Sequence, residues 1–393
     1  MMRPRPGPGP RRGSADVTGI TSCGTSPAAR EAVVVTGVSA LSGCGRGVEA
    51  LSAAVSSGTP AFVPVTRFDT SRRMTAHAAE LPGAPALGDE LVAAVEEACR
   101  EAGLTAGDAA RAGLLLAIHS DLRIGAITAE VAQGVAERSG LPGIERVYTC
   151  ACVAASTALA DAAALISAGA RERIVVAAGY LVEPDTFGVF DAGRALARDG
   201  RARPFSRDRS GLLLGDAVAA VVLESARAAG RRGAIPLARL AGWGRAGDAY
   251  HVCRPIPDGS GLARAIESAL GRAGVEPGAV GYVNANATGS PLADTAEANA
   301  LRTVFGADGG PAVSSTKSVH GHALEASALL EFAVTVLALR DGVLPVNGGY
   351  LGPAEDCRLD LVLERPRQAE PGYALTVNCA FGGANTALLV GAA

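Results

Sequence analysis

Two cysteines stand two residues apart where an apolar strand pattern gives way to a run of small, helix-forming residues: Val147-Tyr148-Thr149-Cys150-Ala151-Cys152-Val153-Ala154-Ala155-Ser156. A cysteine at the start of a helix lies over free backbone N–H groups and the positive end of the helix dipole. Both favour the thiolate, the form that attacks an acyl carbon. The residues here leave a second reading open, because cysteine is among the most buried residue types and a packed structural thiol has the same surroundings. Three later stretches also gather polar groups: Val283-Asn284-Ala285-Asn286-Ala287-Thr288-Gly289-Ser290-Pro291-Leu292-Ala293-Asp294, Ser314-Ser315-Thr316-Lys317-Ser318-Val319-His320-Gly321-His322, and Asn378-Cys379-Ala380-Phe381-Gly382-Gly383-Ala384-Asn385.

The elements that must hold these stretches alternate. Ala32-Val33-Val34-Val35-Thr36-Gly37 reads as a buried strand, and helices near Val48–Ser57 and over 88–102 lead to the strand Gly113–Ile118. A helix over 126–138 precedes the Cys152 strand, the helix after Cys152 ends at Gly169, and strands follow at Arg173–Gly179 and Ala217–Glu224. The second half repeats the rhythm: strand 235–243, helix 260–273, strand 280–285, helix 294–305, strand 311–315, helix 323–340, then strands 373–379 and 385–391. Apolar strands covered by helices on both faces predict mostly parallel, buried sheets. The similar order of elements in residues 32–228 and 229–393 suggests a duplicated unit. Residues 1–31, rich in Pro, Gly and Arg with no apolar segment behind them, read as a disordered tail.

At 393 residues the chain can bury a large core, and 48% apolar with 19% charged residues is a soluble, globular composition. Only 4% is aromatic, which predicts helices packed through small side chains. A net charge of −3 gives no electrostatic case for nucleic acid or an anionic membrane. No apolar run reaches the ~20 residues of a membrane span. The eight cysteines form no CxxC pair or metal-ligand spacing, which reads as reduced thiols in the cytoplasm. The glycines at 37, 43, 45 and 47 echo a dinucleotide loop, but no acidic residue closes a second strand at the required distance.

Taken together and in this order, the four polar stretches resemble the β-ketoacyl-acyl-carrier-protein synthases, condensing enzymes of the thiolase superfamily. The resemblance runs from about residue 32 to the end and includes Thr66-Arg67-Phe68-Asp69, Pro204-Phe205-Ser206 and Gly215-Asp216. It implies an α/β, thiolase-like fold of two pseudo-repeated halves, layered α/β/α/β/α, with helices between two mixed sheets. It also implies that Cys152 takes an acyl group from the phosphopantetheine of an acyl carrier protein, with no cofactor of the chain's own. By the same resemblance His322 is the family's second histidine, able to donate through Nε2. Lys317 supplies positive charge near it, and Glu331 supports them. The backbone N–H groups of Cys152 and Cys379 stand where the family builds its oxyanion hole, in the loop that includes Phe381. A homodimer is expected, with a heterodimer beside another synthase-like chain as the alternative. His320 is read as a loop residue, and His77, His119 and His251 match no motif.

The sequence departs from the family at two of these positions. Asn286 replaces a histidine, and Asn cannot exchange a proton near neutral pH. Cys379 replaces a phenylalanine that gates the acyl pocket. Cys152, Asn286, His322 and Cys379 thereby resemble the Cys/Asn/His/Cys set of thiolases, as does Gly321-His322-Ala323-Leu324-Glu325-Ala326-Ser327. The preferred reading is nevertheless a synthase with weakened decarboxylation, because the long thiolase lid insertion is absent. Two alternatives stand beside it: an acyltransferase to an oxygen, nitrogen or sulfur nucleophile, and a catalytically silent partner subunit resembling a chain-length factor. The retained Cys152 speaks against the latter.

Overall fold

The computed structural model describes residues 30–119, 125–307 and 309–393. The tail expected over residues 1–31 lies, but for Arg30 and Glu31, outside them. Ten strands form one path: β1 Val33–Ser42, β2 Gly113–Ile118, β3 Ile144–Tyr148, β4 Arg173–Tyr180, β5 Ala217–Ser225, β6 Ala238–Gly247, β7 Val280–Asn284, β8 Ala312–Ser314, β9 Tyr373–Ala380 and β10 Ala384–Ala392. Their spatial order is β3-β2-β4-β5-β1 followed by β6-β10-β9-β7-β8. Numbered within each half, both run 3-2-4-5-1 from the outer edge inward. In both, strand two pairs in parallel with strands three and four, and strand five runs antiparallel to its neighbours.

Two expectations need correction here. The halves are not separate sheets, because β1 and β6 meet edge to edge through the pairs Val34–Arg239 and Val35–Ala238, which makes one continuous sheet. Nor are the sheets mostly parallel. The return strands β5 and β10 run backwards, and in the second half a short Phe381–Gly383 turn leaves the chain no room for the crossover that a parallel partner requires.

Five layers result. Helices α2 (Leu87–Glu101) and α3 (Gly125–Arg138) cover the outside of the first half, and α6 (Ser260–Ala273) and α7 (Pro291–Phe305) cover the second. Between the halves lie α4 (Ala154–Ser167) and α8 (Ser327–Asp341), each touching strands of both. The remaining helices named here, α1 (Val48–Ser57) and α5 (Pro184–Ala192), flank this body. Position explains composition. The outer α2 and α6 bury one face each, whereas every residue of α8 from Ser327 to Leu339 is buried. Buried α4 is made largely of alanine, so its backbone approaches both sheets closely.

The expected helix over 323–340 opens as a 3₁₀ turn at Leu324–Ala326 and continues as α8, and a separate turn of helix at Lys317–His320 precedes it. Gly321 ends that earlier turn. Its φ of 76° is left-handed, and a Cβ there would lie 2.8 Å from the Leu214 carbonyl oxygen. Two of the motif segments are structural. Asp216 is fully buried and accepts from the Arg67 guanidinium and from the N–H groups of Leu81 and Val182, each at 2.6 Å. Asp294 accepts from the N–H groups of Phe205, Thr288 and Gly289, which pins the Pro204–Ser206 loop to the Asn286 segment.

Candidate active site

Both central helices begin at the same place. α4 is preceded by a 3₁₀ turn, Ala151–Val153, that carries Cys152, and α8 by the turn Leu324–Ala326, with His322 just before it. These two turns pack against each other. On a continuous strand, Cys150 and Cys152 would share one face. The strand instead ends at Tyr148, and Cys150 opens the turn, exposed to solvent, whereas Cys152 is 9% exposed. Of the two, only Cys152 lines the cleft, because a 3₁₀ turn rotates successive side chains by about 120° instead of the roughly 180° of a strand.

His322 Nε2 lies 3.1 Å from Cys152 Sγ. The backbone of His322 is clamped, its N–H donating to Leu213 O at 2.7 Å and its carbonyl accepting from Gly215 N at 3.1 Å. Nδ1 lies 2.8 Å from Ser327 Oγ, which also accepts the Ala323 N–H at 2.8 Å. Lys317 Nζ pairs with Glu331 Oε1 at 2.5 Å and donates to Asn286 Oδ1 at 3.2 Å, with both charged groups almost completely buried. Asn378 Nδ2 donates to the other Glu331 oxygen at 2.6 Å. Lys317 therefore does not bond His322; it reaches the site through Asn286 and through its charge.

That charge and the burial set the protonation states. Burial pushes the Cys152 thiol up to about 12. The Glu325 carboxylate adds to the rise and the Lys317 ammonium opposes it. Burial, then Lys317, then His320 hold His322 well below its ordinary value. Resting Cys152 and His322 are thus a neutral thiol and a neutral imidazole. The thiolate expected from the helix start is outweighed by the dry surroundings of the sulfur. Cys379 is likewise pushed well above the ordinary thiol value by burial, with Glu297 and Asp248 adding to it.

Cys152, Asn286, His322 and Cys379 line one cleft of about 100 Å3, with Thr288 and Asn385 on its walls. Phe381 stands at the mouth, 56% exposed, its ring stacked on Phe190 at 6.0 Å between centroids. The structure thus brings Cys152 together with the residues expected around it, with Glu331 behind Lys317. His320 lies apart: it is fully buried, its Nδ1 donates to Gly321 O at 2.8 Å, and its Nε2 accepts from Thr316 Oγ1 at 3.0 Å.

Sequence reasoning missed four neighbours. Ser327 holds His322, and its place five residues on in the same motif was the available signal. Glu297 accepts the Asn286 N–H at 2.7 Å and is a buried acid pushed up to about 8. Glu325 pairs with His119 at 3.0 Å, and no local pattern joins residues 206 positions apart. Asn378 was quoted within its motif but given no role.

A buried thiol at a helix start, met by an imidazole from the opposite half of a duplicated five-layer α/β body, is the arrangement of a thiolase-like condensing enzyme. Comparison with known proteins narrows the class. Residues 90–229 match the family described as "Beta-ketoacyl synthase, N-terminal domain" and residues 237–350 that described as "Beta-ketoacyl synthase, C-terminal domain". The chain is 30% identical over 404 residues to 3-oxoacyl-[acyl-carrier-protein] synthase 2 of Coxiella burnetii, covering 91% of this chain and 98% of that one. It is 39% identical over 253 residues to nodulation protein E of Rhizobium leguminosarum bv. trifolii, covering 63% and 62%. Among solved structures, the ishigamide ketosynthase/chain length factor superposes with a TM-score of 0.85 at 29% identity, covering 93% of this chain and all of that one. The chain belongs to the beta-ketoacyl synthase family. Among the described residues no helix is long and apolar enough to cross a membrane, and no group of His, Cys, Asp or Glu side chains could hold a metal ion.

Proposed function

We propose that this condensing enzyme takes an acyl group from the phosphopantetheine thioester of an acyl carrier protein onto Cys152, and passes it on in a fatty-acid-like or polyketide-like pathway. The observation that carries this reading is the 3.1 Å approach of His322 Nε2 to Cys152 Sγ at the floor of a cleft. Cys152 loses its proton as Sγ attacks the thioester carbon. The carbonyl oxygen becomes an oxyanion beside His322 Nε2–H and the N–H groups of Cys152 and Cys379, and the pantetheine sulfur leaves with a proton as the thiol. Lys317, held by Glu331, orients Asn286. Phe381 gates the mouth. A narrow cleft in which only the sulfur need be reached suits a thioester on a flexible arm.

Intact-mass analysis after mixing with acyl-carrier-protein thioesters tests the proposal, with one acyl group added per chain as the expected result. No adduct with any acyl chain would leave the silent-partner reading. A dimer is expected by light scattering at micromolar concentration. A second reading, acyl transfer without decarboxylation, is favoured by Asn286 and Cys379 facing the same cleft as Cys152. It predicts acyl-Cys152 formation together with slow loss of carbon dioxide from malonyl-carrier protein.

A further inference from the structure

From Ser327 we infer a positioning residue for the reaction proposed above: its hydroxyl fixes the tautomer of His322, so that Nε2 permanently carries the proton and faces Cys152 as a hydrogen-bond donor. The argument is an account of protons. Ser327 is fully buried and its Oγ has one proton to give. One of its lone pairs is taken by the Ala323 N–H at 2.8 Å. Among the described residues the one acceptor in reach of that proton is His322 Nδ1, at 2.8 Å. Were Nδ1 protonated instead, Ser327 would accept twice and its own proton would be buried without a partner, which costs more than the bond returns. Nδ1 is therefore an acceptor. Because the ring is neutral, Nε2 bears the hydrogen and directs it at Sγ, 3.1 Å away.

The neighbouring histidine provides the contrast. His320 Nδ1 faces the Gly321 carbonyl oxygen, which can only accept, so His320 carries its proton on Nδ1 and receives the Thr316 hydroxyl at Nε2. The two rings, two residues apart, hold opposite tautomers. His322 is thereby committed to donating, first toward the sulfur and then toward the oxyanion of the bound acyl group, and is not the base that removes the Cys152 proton.

This inference rests on the acyl-transfer reading for its consequence but not for its geometry, and the test separates the two. The chain has five histidines, so a sample labelled with 15N-histidine gives few ring signals. Wild-type protein is expected to show His322 as the Nε2–H tautomer and His320 as the Nδ1–H tautomer. In Ser327→Ala, the His322 signals should move toward a mixture while those of His320 stay put. The maximal rate of Cys152 acylation should fall about tenfold or more, short of the 10²–10³ for loss of a whole oxyanion donor, with little change in half-saturation. Ser327→Thr, which keeps the hydroxyl, should restore the Nε2–H signal. An Nδ1–H tautomer for His322 in the wild type, or unchanged His322 signals in folded Ser327→Ala, would overturn the inference. Correct tautomers in a protein that forms no acyl adduct would instead overturn the acyl-transfer reading.

Discussion

The two halves share one strand order and differ at one junction. In each, the third strand leads to a 3₁₀ turn and then to a helix buried between the sheets. The first residue of each turn is a non-glycine at positive φ, Ala151 at 51° and Leu324 at 43°. In the first half two residues, Thr149 and Cys150, separate strand from turn. In the second, the nine residues Ser315–Ala323 intervene, and they carry Lys317, His320 and His322. Duplication therefore supplies two helix starts that meet in one cleft. The short junction brings the turn that carries Cys152 directly off its strand, whereas the long one inserts Lys317, His320 and His322 ahead of its turn. The positive-φ residue comes just before Cys152 in the first half and two residues after His322 in the second.

The division of labour breaks most completely at the nucleophile. Cys152→Ala should abolish the acyl adduct, and Cys150→Ala, altering an exposed thiol, should leave it intact. Intact mass after acyl-carrier-protein treatment decides. An adduct surviving in Cys152→Ala would move the chemistry off the turn that opens α4.

Asn286, two residues beyond β7, sharpens the comparison from the other half. The wild type should decarboxylate malonyl-carrier protein poorly, because the amide that accepts the Lys317 proton cannot itself move one. Asn286→His should recover part of the ~10²–10⁴-fold that a positioned proton carrier gives. Brisk release of carbon dioxide by unmodified protein would mean that His322 alone suffices, and that the exchange to Asn286 costs nothing.

A third change separates support from chemistry. Lys317 and Glu331 are 1% and 0% exposed, so Lys317→Met leaves a carboxylate buried beside Asn378. Breaking such a pair costs ~3–5 kcal/mol, which should appear as a large fall in melting temperature. Replacing both partners, Lys317→Met with Glu331→Leu, should return much of that stability without returning activity. A single variant as stable as wild type would show that the pair is not closed to water.

How much of this was legible in the sequence follows from where the information lies. Strands and buried helices could be read from local apolar runs, and the recurrence of elements in the two halves pointed to the duplication. The short ladder joining β1 to β6 could not be read, because a register between strands some 200 residues apart leaves no local trace. In the site, Cys152, His322, Lys317 and Asn286 came from motif order. The sequence suggested a thiolate because it shows the helix start, and the structure gives a neutral thiol because it shows the burial. Glu325 and His119 went unpaired in the reading for the same reason: their contact is made by packing, not by spacing.

The last prediction concerns stability alone, at a group placed behind Asn286. Glu297 sits on α7 with its Oε1 on the Asn286 N–H, 3% exposed, and burial raises it from 4.5 to about 8. A carboxylic acid with a raised folded value holds a proton that the unfolded chain gives up. Between pH 4.5 and about 8, then, the folded state binds more protons, and stability falls as pH rises through that window. Asp294, raised to about 6, acts in the same sense, but only in the lower part of the window. The buried imidazoles His320 and His322 act in the opposite sense, and below the ordinary histidine value. Glu331 and Glu101, also raised by burial, act in the same sense as Glu297, so the difference between wild type and a Glu297 variant isolates the share of Glu297. Glu297→Gln keeps an oxygen for the Asn286 N–H and removes the titration. Its melting temperature relative to wild type should rise steadily from pH 5 to pH 8, the slope approaching 1.4 kcal/mol per pH unit at most. Parallel curves for the two proteins would mean that Glu297 is ionised in the folded state. The long junction would then be holding a second buried carboxylate beside Glu331, and the Lys317 charge would be shared between them.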